Sequence, residues 1–513
     1  MRNSDVLIVG SGIAGLSLAL KLAKQNPQAK INVITKTSAL ESNTSYAQGG
    51  IAAVLNTLTD SYEEHIADTL ASGKGLCDEN IVDLVIKNAT KSIHELINMG
   101  VVFDKDNQGN IALALEGGHN KPRVIHHKDK TGFEVANTLI KLVEAQKNIN
   151  LITHLFVAKL ITINNAVMGV SVYDEVTQNC ETLYAKITVL ATGGCGQLFE
   201  NTTNPEPATG DGYAMAKRAG ANLKHMRFVQ FHPTALYVKN KQQTSFLISE
   251  AVRGFGAYIT DKAGCRFLFK YDLRGELATR DVVSNAINTQ LALTNTACAY
   301  LDLRHLNHQE FSQHFPSITQ KLTSLGYNLR TDLIPIVPSA HYQCGGIEVN
   351  QFAQTSLTNL YALGEVSCTG LHGKNRLASN SLLEALVFAN QAAINITELL
   401  NSDTFIQSKS ITATHPKNID YNWINPKMQV IKKWMSLSFS TCDVITLHAA
   451  LKYMQILQQL TTSILNNNNF SIKLMQLNNM ACVAGVIIED LLNNMNEDTT
   501  NAKSYKYNVP AWR

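Results

Sequence analysis

"DVLIVGSGIAGLSLALKLAKQ" occupies residues 5–25, and "INVITK" follows at 31–36. After Asp5 the run to Gly10 is apolar and rich in β-branched residues, which predicts a parallel strand buried on both faces. The next stretch opens on glycines and runs on as a helix, and residues 31–36 read as a second strand. This is a βαβ unit with Gly10, Gly12 and Gly15 at its first turn. Gly10 permits the tight turn, Gly12 lets the backbone approach a pyrophosphate, and Gly15 lets the helix pack closely on the strand. N–H groups at the start of the helix then face the phosphates. NAD-binding versions usually end the second strand in an acid that holds a ribose; Lys36 stands there, which argues against ordinary NAD specificity. An early Arg and an apolar run also suit a secretion signal, but Asp5 and the spaced glycines favour the folded reading.

Two later stretches repeat the pattern of an apolar strand ending in small residues, "KITVLATGG" (186–194) and "NLYALGEVS" (359–367). An extended FAD touches several strand ends, so three such strands in this order favour a flavin-binding Rossmann-like domain. Residues 225–269 mix strand-like and loop-like pieces and read as part of an inserted cap. Beyond about residue 405 the pattern turns helical, with "LNNNNFS" (465–471) as a helix–helix turn. The expected class is α/β: a discontinuous FAD-binding domain (1–226 and 342–405), an inserted α+β capping domain (227–341) and a C-terminal helical domain (406–513).

The bulk numbers agree with a large enzyme. The chain has 513 residues, 45% of them hydrophobic, enough for about two to four domains. A net charge of +3 gives no electrostatic footprint for nucleic acid or an anionic membrane. No apolar run is long enough to predict a membrane span. The nine cysteines are scattered, without a CxxC pair or zinc-ligand spacing, so reduced thiols in a cytoplasmic protein and no metal are expected.

Five further motifs occur in order: "SNTSYAQGGIAAV" (42–54), "QFHPTAL" (230–236), "ATRDVVS" (278–284), "HYQCGG" (341–346) and "GKNRLASNSLLEAL" (373–386). Together they resemble the fumarate reductase / succinate dehydrogenase flavoprotein superfamily, over about residues 5 to 400. Within it the chain is most similar to the branch that oxidises L-aspartate to iminoaspartate in NAD biosynthesis. A soluble fumarate reductase or a succinate dehydrogenase flavoprotein subunit is the alternative. The resemblance implies that Ser11, Gly12, Ile13 and Ala14 hold the FAD pyrophosphate, with Lys36 near the adenosine end. It implies that Asn43, Thr44, Ser45, Tyr46, Ala47, Gln48, Gly49 and Gly50 run along the ribityl chain and flavin, and that Asp211, Glu365, Ser381 and Leu382 complete the site. Respiratory members carry a flavin-linking His in the first motif; Asn43 occupies that place, which implies non-covalent FAD.

By the same resemblance His232, Ser249, His341 and Arg376 bind a four-carbon dicarboxylate, Arg376 through the bidentate fork that suits a carboxylate. Arg280 is the implied proton donor and acceptor, with Glu250 and Arg253 as its relay. As an acid toward fumarate Arg280 raises no difficulty; as a base it needs neighbours that tolerate transient proton loss. L-Aspartate and fumarate are the implied ligands, and quinolinate synthase the implied consumer of the unstable product. "LEGGH" (115–119) places a lone carboxylate among basic side chains. Aspartate differs from succinate by an ammonium group, and a site of Arg and His repels that cation. Glu116 supplies a counter-charge, and its two glycines let the loop come close to the ligand. The competing reading pairs Glu116 with Lys121 or Arg123 on a solvated loop. The tail "NAKSYKYNVPAW" lacks the "SRG…DYP" pattern common near the family's C-termini.

Overall fold

The computed structural model describes residues 3–239, 244–401, 417–418, 422–467 and 469–501. The first strand is Asn3–Val9. It lies parallel between Ile31–Ile34 and Asn179–Leu190, with Ile8 opposite Val33 on one side and Val189 on the other. Ile149–Ile152 extends the sheet beyond Ile31–Ile34, and Leu360–Ala362 pairs with Thr188–Leu190. Leu7, Ile8, Val33 and Val189 are fully buried, because both faces of this parallel sheet are covered. Helix Ile13–Gln25 covers one face and packs on helix Asn380–Leu400. Strand Asn179–Leu190 is long enough to serve two partners along one edge. Its early half pairs antiparallel with Ala166–Asp174, whose hairpin partner is Leu155–Ile163.

The first turn is closed by backbone contacts that only glycine allows. Gly10 has φ +120°, and a Cβ there would stand 2.0 Å from the Ala191 carbonyl oxygen. A Cβ on Gly15 would stand 2.1 Å from the Gly10 carbonyl oxygen. Strand and helix therefore meet at backbone distance.

The insertion contains a four-stranded antiparallel sheet in the order Val229–Leu236, Ile334–Gln343, Ala299–Asp302, Tyr258–Thr260. Helix Arg280–Thr294 packs on it, and Val252, Ile259, Val283, Ile287, Leu301 and Ile336 share its core. Strand Ile334–Gln343 runs through the expected domain boundary at 341–342, so His341 is held by cap and nucleotide fold together.

Three long helices follow, Ile424–Thr441, Val444–Asn466 and Ile472–Asn501. Their Met435, Leu447, Met454, Leu477 and Ile487 join Leu7, Val9, Tyr213 and Met215 in one core. The C-terminal helices thus share a core with the nucleotide fold. The segment 465–471 joins two of them and pairs Asn469–Phe470 with Lys417–Asn418. The start of the expected C-terminal domain (406–416) and the tail after Asn501 lie outside the described residues. Among the described residues no helix is long and apolar enough to cross a membrane, and no His/Cys/Asp/Glu group could hold a metal ion.

Candidate active site

A cavity with about 1430 Å³ of empty space lies at the ends of the parallel strands. Its walls include Gly10, Ser11, Gly12, Ile13 and Ala14 at the first turn, Lys36 at the end of the second strand, and Asn43, Thr44, Tyr46 and Ala47. Asp211, Glu365, Ser381 and Leu382 line it too. Five of the expected cofactor residues stand off this wall. Gly15 packs behind the turn, and Gly50 is pressed on the Ile125 carbonyl. Gly49 lies beside Glu116, and the Ser45 hydroxyl meets Ser42 at 3.2 Å. The Gln48 side-chain oxygen is buried without a partner.

The wall suits FAD. A Cβ placed on Gly12 would meet only Thr44 Oγ1, at 3.3 Å, so the backbone there is open to a phosphate. Asn43 Oδ1 and Thr192 Oγ1 line the cavity, buried and without partners. Each such orphan costs about 1–3 kcal/mol, and a cofactor carrying hydroxyls and ring nitrogens would satisfy it. Glu365 is pushed up to about 7 by burial, although Gln343 N–H, Asn43 Nδ2 and the Arg376 charge oppose the shift. Asn43 donates to Glu365 Oε2 at 2.7 Å. Lys36 Nζ lies 2.5 Å from Asp211 Oδ2.

His341 and Arg376 also line this cavity and border a second, buried cluster. The Arg376 guanidinium lies 4.4 Å over the Tyr342 ring. Its Nη1 donates to Ser381 Oγ at 2.9 Å and its Nη2 to Gln230 Oε1 at 3.2 Å, while Nε is buried without a partner. Burial, then the charge of Arg280, pushes Arg376 down to about 10. Arg280 Nη1 donates to the same Gln230 oxygen at 3.0 Å, and its Nε to Glu250 Oε2 at 2.5 Å. The other Glu250 oxygen is 2.7 Å from Arg253 Nη2. Burial alone would raise Glu250; the charges of Arg280 and Arg253 outweigh it and hold the carboxyl below its ordinary range. Burial also lowers Arg253, which donates to the Glu276 carbonyl.

His232 and His341 lie with ring centroids 5.0 Å apart. Burial and the Arg280 charge hold both well below the usual imidazole value, so both are neutral. Thr234 N–H donates to His232 Nδ1 at 3.3 Å, which leaves Nε2–H as the donor toward a ligand. His341 Nδ1 meets Thr203 Oγ1 at 2.7 Å. Ser249 accepts from Ala251 N–H at 3.3 Å as the cap of a short helix, and its own O–H is still able to donate. Donors from cap and nucleotide fold therefore converge, an arrangement suited to a small dicarboxylate.

Glu116 borders this cluster with 2% of its surface exposed. Burial, then the charge of Glu250, raises its carboxyl above the ordinary value, against Ser379, Arg280 and Arg376. Ser379 Oγ donates to it at 2.6 Å from a left-handed backbone (φ +61°) just before helix Asn380–Leu400. Such a conformation in a non-glycine residue marks a locally strained, over-determined position. The following glycines bring the loop against the cluster: a Cβ on Gly117 would stand 2.2 Å from Glu250 Oε1.

Among the described residues Glu116 makes no ion pair with Lys121 or Arg123. Arg123 is fully buried and committed to two other carboxylates. Its Nε and Nη2 donate to Asp60 at 2.8 Å each, and its Nη1 to Asp68 Oδ2 at 2.5 Å. His119 bridges Arg123 Nη1 (3.1 Å) and the Ala378 carbonyl (2.9 Å). The loop is thereby fastened on one side to helix Tyr62–Gly73 and on the other to the backbone beside Ser379.

Sequence reading did not single out Gln230, Ser379, Thr192 or the Asp60–Arg123–Asp68 clamp. Gln230 and Ser379 sit inside motifs already quoted, "QFHPTAL" and "GKNRLASNSLLEAL", where position within a motif was an available signal. The two aspartates carry none.

Residues 5–382 match the family model described as FAD binding domain. The chain is 42% identical to the L-aspartate oxidase of Yersinia pestis, with 94% of this chain and 92% of that one aligned. It is 38% identical to the L-aspartate oxidase of Vibrio cholerae over the same shares of the two chains. Among solved structures it resembles the E. coli quinol fumarate reductase chain FrdA (TM-score 0.84, 28% identity, 95% of this chain and 88% of that one). It also resembles Mycobacterium smegmatis Sdh1 (TM-score 0.77, 27% identity, 96% and 87%).

Proposed function

The chain belongs to the L-aspartate oxidase family and is an FAD-dependent oxidoreductase; from that premise we propose that it oxidises L-aspartate to iminoaspartate. The electrons pass to O₂, giving H₂O₂, or to fumarate, giving succinate, and the reaction is the first step of de novo NAD biosynthesis. The observation that carries this reading is a buried carboxyl, Glu116, beside a cationic dicarboxylate site and without a cation of its own. The cluster holds three guanidinium groups (Arg253, Arg280, Arg376) and two carboxyls (Glu116, Glu250), with neutral histidines. With Glu116 ionised its net charge is +1, which matches aspartate, a monoanion. With Glu116 protonated it is +2, which matches fumarate, a dianion.

Arg376, His232, His341 and Ser249 hold the two carboxylates, and Glu116 pairs with the ammonium. Bound FAD supplies the two-electron acceptor for the Cα–H bond. On oxidation of aspartate Arg280 first passes one of its own protons to Glu250 and then takes one from Cβ, giving an enamine that tautomerises; when fumarate is reduced it returns one to that carbon. Its Nη2 has no protein partner among the described residues, and Glu250 and Arg253 stand behind it to exchange the proton. FAD is held without a covalent link, since Asn43 is engaged with Glu365 where respiratory relatives carry a linking His. The enzyme works in the cytoplasm, and its water-sensitive product goes to quinolinate synthase. Fumarate reduction as the main reaction is the second reading, favoured by the likeness to FrdA.

The test is stoichiometry in air. FAD-loaded protein given L-aspartate is expected to form one H₂O₂ for each aspartate consumed, with D-aspartate and succinate inert. Aspartate left unconsumed by flavin-loaded protein would overturn the reading.

A further inference from the structure

Asp211 is the cavity-wall carboxylate that pairs with Lys36. Its Oδ2 also accepts from Thr209 Oγ1 at 3.1 Å. Its other oxygen, Oδ1, accepts from Asn479 Nδ2 at 2.7 Å. Asn479 stands on the last helix, Ile472–Asn501, and is fully buried. Its side-chain oxygen accepts from Arg218 Nη2 at 2.7 Å. Arginine can only donate and a carboxylate can only accept, so the amide has one possible orientation, nitrogen toward Asp211. Arg218 Nη1 donates to Asn478 Oδ1 at 3.1 Å, and Asn478 Nδ2 reaches Thr461 and Thr462 on helix Val444–Asn466 at 2.9 Å each. A continuous polar chain therefore runs from the C-terminal helices to the cofactor cavity. One turn beyond Asn479, Val483 rests where a Cβ on Gly210 would stand at 3.2 Å, just before the helix that Asp211 opens.

We propose that Asn479 is a positioning residue of the FAD site, through which the C-terminal helices hold Asp211 and Lys36 at the cofactor's adenosine end. The proposal rests on FAD as cofactor and not on which acid is oxidised. An amide satisfies the inner carboxylate oxygen without adding charge, which leaves Lys36 as the cation in direct contact with Asp211. Linkage then makes the effect reciprocal: FAD binding stabilises the C-terminal helices as much as they stabilise FAD binding.

The test is FAD release from the diluted holoenzyme, read as the rise in free-flavin fluorescence and fitted for a dissociation constant. Asn479→Ala removes a hydrogen bond to a charged group and is expected to weaken FAD by about tenfold or more. Asn478→Ala loses buried hydrogen bonds to helix Val444–Asn466 and, like Asn479→Ala, one from Arg218, but none to Asp211, and is expected to stay within about twofold of wild type. In an Asp211→Ala background Asn479→Ala is expected to add nothing. Equal weakening by the two asparagine variants, or full additivity with Asp211→Ala, would reduce Asn479 to ordinary packing and overturn the proposal. Should Asn479→Ala fail to fold, the isosteric Asn479→Asp serves. It cannot donate to Asp211 and repels it, so wild-type affinity in that variant would equally overturn the proposal.

Discussion

Glu116→Gln removes one negative charge and almost no volume. The Ser379 hydroxyl, 2.6 Å from the carboxylate, can donate equally well to an amide oxygen. Gly117 still fits against Glu250, and the Arg123 clamp on the far side of the loop is untouched. What is lost is the charged partner proposed for the substrate ammonium, a charge-assisted bond contributing about 1.5–3 kcal/mol. At about 1.4 kcal/mol per factor of ten, kcat/KM for L-aspartate is expected to fall roughly 10- to 150-fold. Fumarate makes no use of that charge. Its dianion meets a cluster whose net charge has risen from +1 to +2, so fumarate reduction is expected to hold or improve. The assay pairs peroxide formation from aspartate with oxidation of reduced methyl viologen by fumarate, on the same preparation at the same flavin content. An equal loss in both reactions, or no loss in either, would refute the reasoning.

Because burial and Glu250 raise the Glu116 pKa, lowering pH through that raised value protonates the carboxyl. The KM for aspartate should then climb as pH falls while that for fumarate does not; KM profiles of wild type and Glu116→Gln over about pH 5 to 9 check this, the variant lacking the climb. Gly117→Ala would put a methyl 2.2 Å from Glu250 Oε1 and drive that carboxylate from Arg253 and Arg280. Both reactions should drop about a hundredfold at unchanged substrate specificity, as steady-state rates will show. Asp68→Asn leaves the buried Arg123 with a single charged partner, Asp60, and should cost about 3 kcal/mol, visible as a lower Tm. It should also impair aspartate turnover more than fumarate reduction, since the clamp fastens the Glu116 loop.

The first turn was legible from the spacing of its glycines: Gly15 answers to the nearby Gly10, while the contact that requires Gly10 itself, with Ala191, comes from across the sheet. The apolar runs 5–10 and 31–36 named their strands because burial on both faces removes any alternation. The C-terminal region was legible as helical. Its shared core with Leu7 and Val9 was not, since no local pattern says which apolar face meets which. The motifs brought His232, Arg280, His341 and Arg376 to attention, the resemblance added Glu250, and the fold brings them together. The residues that orient them escaped notice for a common reason. Gln230 reaches Arg376 across 146 positions, Ser379 reaches Glu116 across 263, and Asn479 reaches Asp211 across 268. Each is an ordinary polar residue whose meaning lies wholly in a distant partner. Gly117 differs from the expectation: the sequence marked its loop for close approach to a ligand, and what the fold presses against this glycine is the Glu250 carboxylate.

The proposed preference of this site for the amino diacid is open to a direct test. The most direct measurement is anaerobic: FAD-loaded protein receives L-aspartate in one cuvette and succinate in another while flavin absorbance is followed. Aspartate alone is expected to bleach the flavin, with peroxide formed when air is admitted. An unbleached flavin with aspartate, in protein whose dithionite-reduced flavin is rapidly reoxidised by fumarate, would contradict it and make fumarate reduction the principal reaction.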